Sequence, residues 1–396
     1  MKILISGAGV AGLACARELG VRGHDVTLVE QAPGLRLTGT PIDIRGAAIE
    51  AVAAMGLLPE IRRRRVRMSE RTWFVDSAGE PVARMPMAAV SDSADDIELL
   101  REDLIRILAD ALPAATAPAT PPATAPATAP ATAPTIRFGD AIVAISEEPD
   151  GVDIRFVSGL AGRYDLVLGA DGQHSAVRRL VFGPDGDHLR HLGVYFALAD
   201  HPAEADSEGP NSLYNVPRRM AGLFRYGGRA VAVFQFRSER LDFDHRDLDA
   251  QKRILADAFA GFRSWRIPEL LDAARADPAF YLTAASQVHL PAWHRGRVAL
   301  VGDAGYCPAF LSGRGTSLAL LGARFLAEEL DRRGPGPDPA PGHSEAFARY
   351  EARLRPHVTR AQDRVHGGRD RMLPESWGDI AARNKALRAL DTPDRL

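Results

Sequence analysis

Cysteine is almost absent: two residues, Cys15 and Cys307, in a chain of 396. Two thiols cannot make a disulfide framework. Their surroundings, a helical pattern and a glycine-rich stretch, give no reason to pair them, so a reducing, cytoplasmic setting is expected. No apolar run approaches the ~20 residues of a membrane-crossing helix, and no span is expected. A basic excess is missing too. Lys and Arg number 49 against 51 Asp and Glu, for a net charge of −2. That removes the electrostatic case for nucleic acid. The run Arg62-Arg63-Arg64-Arg65 is local, with Glu60 and Glu70 beside it, and reads as a solvated helix end. The 11 histidines show no metal-ligand spacing, and HExxH and CxxC are absent, so no metal is expected. What is left, 46% hydrophobic and 25% charged residues, is the make-up of a soluble globular protein. The length suggests about two or three domains.

The most informative stretch is the first thirty residues. Lys2 to Ser6 reads as an apolar strand, running into Gly7-Ala8-Gly9-Val10-Ala11-Gly12 and a helical pattern through Leu19. A second strand, Asp25 to Val29, ends in Glu30. Strand, glycine turn, helix, strand and acid make up a dinucleotide-binding unit. Gly7 permits the tight turn, Gly9 lets the backbone approach a pyrophosphate, and Gly12 lets helix and strand pack closely. The helix N-terminus offers free N–H groups and partial positive charge to phosphates. Glu30 is placed to accept ribose hydroxyls. The unit begins at residue 3, so no signal or transit peptide is expected. At this point the nucleotide could be NAD or FAD.

Three later stations narrow the choice. Arg101-Glu102-Asp103-Leu104 opens a helix expected to reach Leu112. Gly169-Ala170-Asp171-Gly172 is followed by Ser175, Val177 and Arg178. Gly302-Asp303-Ala304 leads through Pro308 and Gly313 to Gly315, ahead of a helix to Leu330. With the opening glycines and Glu30, these resemble the group A FAD-dependent monooxygenases, the aromatic hydroxylase family. The texture from Gly302 to Leu318 is most similar to actinobacterial natural-product members, and tetracycline-inactivating monooxygenases are similar in size and layout. There is no second glycine-rich unit, so the resemblance implies FAD as resident cofactor and NADH or NADPH as a transient reductant.

The implied fold is α/β: a Rossmann-like, GR2-type hydroxylase FAD domain with an inserted antiparallel substrate sheet and a C-terminal helix. The FAD domain would comprise residues 1–70, 98–180 and 285–332, and the substrate domain 71–97 and 181–284. Residues 333–396 would be a linker, one helix (His343 to Val365) and a less ordered tail. Pro113 to Thr135 is an Ala/Thr/Pro tract, expected to be an extended surface loop replacing a short connection.

By resemblance the cofactor contacts are Gly7, Gly9, Ala11, Gly12, Glu30, Gln31, Arg36, Arg101, Asp171, Gly172, Gly302, Asp303, Gly313, Gly315 and Thr316. Asp303 would take ribityl hydroxyls and Arg101 the pyrophosphate or ribityl chain. The Gly313–Thr316 helix start would face the pyrimidine end of the flavin, and Arg36 the incoming nicotinamide. Asp171 has a plain alternative, capping the turn that follows it. Cys307 has no visible activating partner and is expected to be packing. No residue is assigned as catalytic, because the chemistry is flavin-mediated. Pocket candidates are Asp43, Arg45, Phe310, Phe224 and Gln235, together with Phe196, Tyr214, Phe234, Phe236 and Arg225, and the sequence does not rank them. The substrate sheet is expected to roof the flavin.

The resemblance implies hydroxylation of a bulky aromatic or polyketide-like molecule through a flavin C4a-hydroperoxide, with O₂ as co-substrate, in secondary metabolism such as antibiotic biosynthesis. Two departures from the family pattern stand out. Phe310 occupies a position where near relatives carry proline, and Ser317 one where asparagine is common. A redox-neutral cyclase or rearrangement enzyme on an FAD scaffold therefore stays open, as does a non-catalytic flavin-binding homologue. Trp265-Arg266-Ile267-Pro268 superficially resembles a halogenase motif, but an aromatic closing a helix end accounts for it. The oligomeric state is not legible.

Overall fold

The computed structural model describes residues 1–37, 41–66, 72–85, 93–114, 131–202, 209–226, 228–332 and 342–391. The chain divides into two units. The first holds 1–65, 95–190 and 286–362, and the second 66–94, 191–285 and 363–396.

The first unit is built on a six-stranded sheet in the order 294–295, 298–300, 166–169, 2–6, 25–30, 135–138. All its pairings are parallel except the short hairpin at one edge. Ile3, Leu4, Ile5, Leu166, Val167 and Leu168 are fully buried. Strands covered on both faces read as unbroken apolar runs, which is why Lys2–Ser6 does not alternate. Two helices pack together above this core, Val10–Gly20 and Gly315–Asp331. A three-stranded antiparallel sheet (142–148, 151–156, 161–164) and a two-stranded ribbon (41–44 with 97–100) complete the unit.

After the proline tract the chain forms two strands in different sheets, Thr135–Phe138 and Ile142–Glu148. Gly139, at φ +73°, and Asp140 turn the chain between them. Residues 115–130 of the proline tract lie outside the described residues. Its described flank returns to the core, where the Thr132 N–H donates to the Gly20 carbonyl at the end of the first helix, 3.0 Å.

The second unit carries a seven-stranded sheet in the order 281–288, 189–200, 229–237, 219–226, 211–216, 72–75, 81–84. One face is covered by the helices Leu248–Ala258 and Ile267–Ala276, burying Tyr195, Tyr214, Phe234, Phe236, Phe259 and Leu270. The expected tail is a correction: 365–372 and 377–391 are helices of this unit. Arg383 on the last helix stacks 3.7 Å over the Phe74 ring and donates to Asn215 Oδ1 at 2.8 Å, and burial lowers it to about 10. Trp265 is a second correction. It precedes a helix rather than closing one, with a left-handed φ of +53° and its ring 5.7 Å from Tyr214.

Candidate active site

The glycines of the opening turn do three different jobs. Gly7 has φ +103°, and a Cβ there would lie 2.6 Å from the Ala170 carbonyl oxygen. A Cβ on Gly12 would stand 1.8 Å from the Gly7 carbonyl oxygen. Both are packing requirements. A Cβ on Gly9 meets nothing within 4 Å, so this glycine faces open space at the N-terminus of the Val10–Gly20 helix. Its leading N–H groups point there with the positive end of the helix dipole.

Glu30 closes one wall. Its carboxylate accepts from the N–H groups of Ala8 and Ala32, both at 2.8 Å, which ties the glycine turn to the end of the second strand. Each oxygen keeps a lone pair for a further donor.

Gly302 and Asp303 follow the strand Val298–Leu300. Gly302 has φ +66°, and a Cβ there would be 2.8 Å from Ala11 Cβ. The turn therefore presses against the first helix at Ala11. The Asp303 carboxylate lies 3.7 Å from the Cβ position of Gly315, the first residue of the Gly315–Asp331 helix. Burial pushes its pKa up, against the lowering pull of the Cys307 thiol and the Arg101 and Arg178 charges. Two helix N-termini, one half-buried carboxylate and the Arg101 guanidinium thus converge from four distant parts of the chain. Arg101 also donates to the Arg36 carbonyl at 3.4 Å, which gathers the Arg36 loop to the same place, with the Arg36 side chain exposed.

Asp171 caps the turn that follows it. Its oxygens accept from Ser175 Oγ at 2.5 Å and from the N–H groups of Ala176 and Val177 at 2.8 and 3.1 Å, capping the helix Ala176–Phe182. Arg178 is fully buried. It donates to the carbonyls of Ala304 (3.0 Å) and Gln173 (2.7 Å) and to Asp185 (2.5 Å). One side chain thus locks the Gly172 turn, at φ +80°, to the Asp303 turn. Cys307 is inert, because burial and the Asp303 charge raise its thiol well above the ordinary value, and the nucleophilic form is the thiolate.

A second cluster sits at the start of the Gly315–Asp331 helix. Arg45 is 9% exposed and pairs with Asp43 at 2.6 Å, and Asp96 lies 4.0 Å away. Its Nη2 stands 3.3 Å from the Cβ position of Gly313, a turn residue at φ +62°. Ser317 Oγ accepts from the Arg45 N–H at 2.9 Å and donates to the Asp43 carbonyl at 3.2 Å. Burial raises Asp43, while Arg45 and Arg314 oppose the shift. Sequence reasoning did not single out Asp96, which lies in an unremarkable acidic stretch. It also missed Ala309, held at φ +69° and ψ 150° in a region nearly reserved for glycine. Phe310, the next residue, is 36% exposed.

The pocket candidates on the seven-stranded sheet separate by register. Phe196, Gln235 and Met220 are cross-strand partners on one face, and Phe224 follows Met220 at even spacing. Tyr214, Phe234 and Phe236 point the other way, into the helix-covered core. Phe259 meets Phe234 and Phe236 edge-on, at 5.4 and 6.3 Å. Arg225 lies on that opposite face as well, beside Trp265 in a cavity of about 410 Å³. Tyr214, Phe234 and Phe236 are thus corrected from pocket to packing positions by the two-residue period of the strands.

Fold and site together define a protein that holds a flavin dinucleotide. The donor set suits FAD: open backbone N–H groups and an arginine for phosphates, and carboxylates at Glu30 and Asp303 for ribose and ribityl hydroxyls. The space over Gly9 is where a Cβ would intrude. A family profile described as an FAD binding domain matches residues 1–364. A flavin-dependent monooxygenase of Legionella longbeachae is 35% identical over 366 residues, covering 90% of this chain and 86% of that protein. The FAD-dependent monooxygenase asL6 of Sarocladium schorii is 34% identical, over 92% of this chain and 86% of its own. The solved tetracycline destructase Tet(51) superposes with a TM-score of 0.79 at 30% identity, covering 100% of this chain and 98% of that one. The chain belongs to the FAD-binding monooxygenase family. It is an FAD-dependent monooxygenase, with NAD(P)H the reductant typical of the family.

Proposed function

We propose that this enzyme hydroxylates a bulky aromatic or polyketide-like small molecule, in secondary metabolism. In net terms, substrate C–H, O₂, NAD(P)H and a proton become C–OH, water and NAD(P)⁺. Bound FAD supplies the hydride acceptance and oxygen activation that no side chain can provide.

The chain's own residues hold and orient the cofactor. Glu30 takes the adenosine ribose. The N–H groups beyond Gly9, with Arg101, take the pyrophosphate, and Asp303 takes the ribityl hydroxyls. The Gly313–Thr316 segment, backed by Arg45 and Ser317, presents its N–H groups to the flavin ring. Within the first unit, Asp43 and Phe310 are the side chains offered to substrate. The observation that supports this reading is the approach of the Asp303 turn to both helix starts, Gly302 to Ala11 at 2.8 Å between Cβ positions and Asp303 to the Gly315 Cβ position at 3.7 Å. Likeness to tetracycline destructases, 30% and 32% identical, makes tetracyclines the first substrates to try.

The test is to incubate FAD-loaded protein with NADH or NADPH, air and a panel of tetracyclines and aromatic polyketides, following cofactor oxidation and product mass. A substrate that speeds NAD(P)H oxidation and gains one oxygen atom supports the proposal. An isomerised product without NAD(P)H consumption would replace it with the redox-neutral reading.

A further inference from the structure

The cavity of about 410 Å³ beside Trp265 lies wholly within the second unit, and none of the residues assigned to the flavin lines it. Its walls come from separated stretches of chain. Ser77 and Gly79 belong to the turn after the strand 72–75, and Ser212 and Leu223 are partners across the strands 211–216 and 219–226. Trp265 and Arg266 stand just before the helix Ile267–Ala276, and Arg225 closes the lining.

Trp265 is the residue that calls for explanation. Its φ of +53° is an outlier for a bulky side chain. Glycine or asparagine would adopt that backbone with less strain. Strain of this kind persists where the surroundings over-determine it, and ligand clamps are among such places. Here it delivers a half-buried indole to the cavity wall. The ring is backed by Tyr214, 5.7 Å away between centroids, and its Nε1 lies 3.6 Å from the Cβ position of Gly79, a turn residue at φ +89°.

The charged residues in the lining are Arg225 and Arg266, both cationic. Each is anchored. Arg225 Nη1 donates to the Pro210 carbonyl at 3.1 Å, and Arg266 Nε donates to Glu269 Oε2 at 2.8 Å. A guanidinium carries five N–H donors in a planar fork, a shape that matches a carboxylate. The hydroxyls of Ser77 and Ser212 add two smaller donors to the same wall.

We propose that this cavity is a binding site for a planar aromatic carboxylate, its ring stacked on the Trp265 indole and its acid group held by Arg225 and Arg266. The volume lies in the range of small-molecule pockets. An aromatic ring answers the indole, and an anion answers the two arginines. The site goes beyond the hydroxylation reading and does not depend on it.

The test uses the FAD-loaded full chain with its four tryptophans replaced by 5-fluorotryptophan. W265F assigns the Trp265 resonance in the fluorine NMR spectrum. The probes are 2-naphthoate and its neutral counterpart 2-naphthylmethanol. Naphthoate is expected to move the Trp265 resonance saturably and to bind at least about tenfold more tightly than the alcohol. R225M removes one cation, and A78W fills the cavity from the exposed 77–79 turn. Each should weaken naphthoate at least about tenfold, with FAD content and Tm as controls for folding. A Trp265 resonance that does not move, equal affinity for the alcohol, or unchanged affinity in both variants would overturn the proposal. No NAD(P)H is added, so failure of the hydroxylation reading, seen as absence of oxygenated product in the turnover assay, is a separate result.

Discussion

Ser317 and Arg45 lie 272 residues apart in sequence and are joined by a 2.9 Å hydrogen bond, the Ser317 hydroxyl accepting the Arg45 N–H. The same hydroxyl donates to the Asp43 carbonyl at 3.2 Å. A residue that departs from the family's common asparagine thus stitches the ribbon strand 41–44 to the first turn of the Gly315–Asp331 helix. Serine meets both needs there, because a hydroxyl donates and accepts at once.

S317A removes both hydrogen bonds and is expected to cost about 1–3 kcal/mol. Urea unfolding of the apoprotein measures this directly. The same variant should weaken FAD binding several-fold, because the Gly313–Thr316 segment loses its tie to the ribbon.

Gly9 and Gly12 make a paired prediction. G12A forces a Cβ to within 1.8 Å of the Gly7 carbonyl oxygen, so it should lower Tm steeply and abolish FAD retention together. G9A meets nothing within 4 Å. It should leave the apoprotein Tm nearly unchanged while raising the Kd for FAD by tenfold or more. Thermal melts and flavin fluorescence separate the two outcomes.

Asp140 supplies a pH test. Burial would raise its pKa, but hydrogen bonds from Ser158 and Ala141 and the Arg137 charge outweigh it and hold the group below its ordinary 3.8. A lowered acid adds stability that is full above the unfolded-state value and fades as pH falls through the folded one. D140N should therefore destabilise by about 1–3 kcal/mol at pH 7. The gap between variant and wild type should close as unfolding is repeated down toward pH 3.

Ala309 is held where an L-residue is strained. A309G should remove that strain and raise apoprotein stability by about 1 kcal/mol. If the strain instead serves to hold Phe310 in place, the variant's flavin spectrum will broaden or shift while its Tm rises. Both readouts come from one preparation.

Much of the cofactor site was legible before the fold was known. Gly7, Gly12 and Gly302 answer a positive φ or a close backbone approach that only glycine meets, and such demands are written locally. The parallel core strands were legible for a similar reason, since burial on both faces leaves unbroken apolar runs. The helices at 365–372 and 377–391 were not. Their apolar residues form no clear stripe along a helix face, and what holds Arg383 in place is Phe74 and Asn215, far off in the chain.

The sequence by itself determined that a dinucleotide is held, because a strand, a spaced glycine turn, a helix and an acid occur within one short span. It did not determine which side chains share a face. Tyr214 and Phe234 looked as available to a ligand as Phe224 and Gln235 until strand register turned the first two into the helix-covered core. Nor did it show that Ser317 meets Arg45, that Arg178 locks two turns, or that Arg225 and Trp265 line one cavity. Those facts depend on distances between residues remote in sequence. Only the folded chain fixes them, because the energy of a buried polar atom is set by what surrounds it in space.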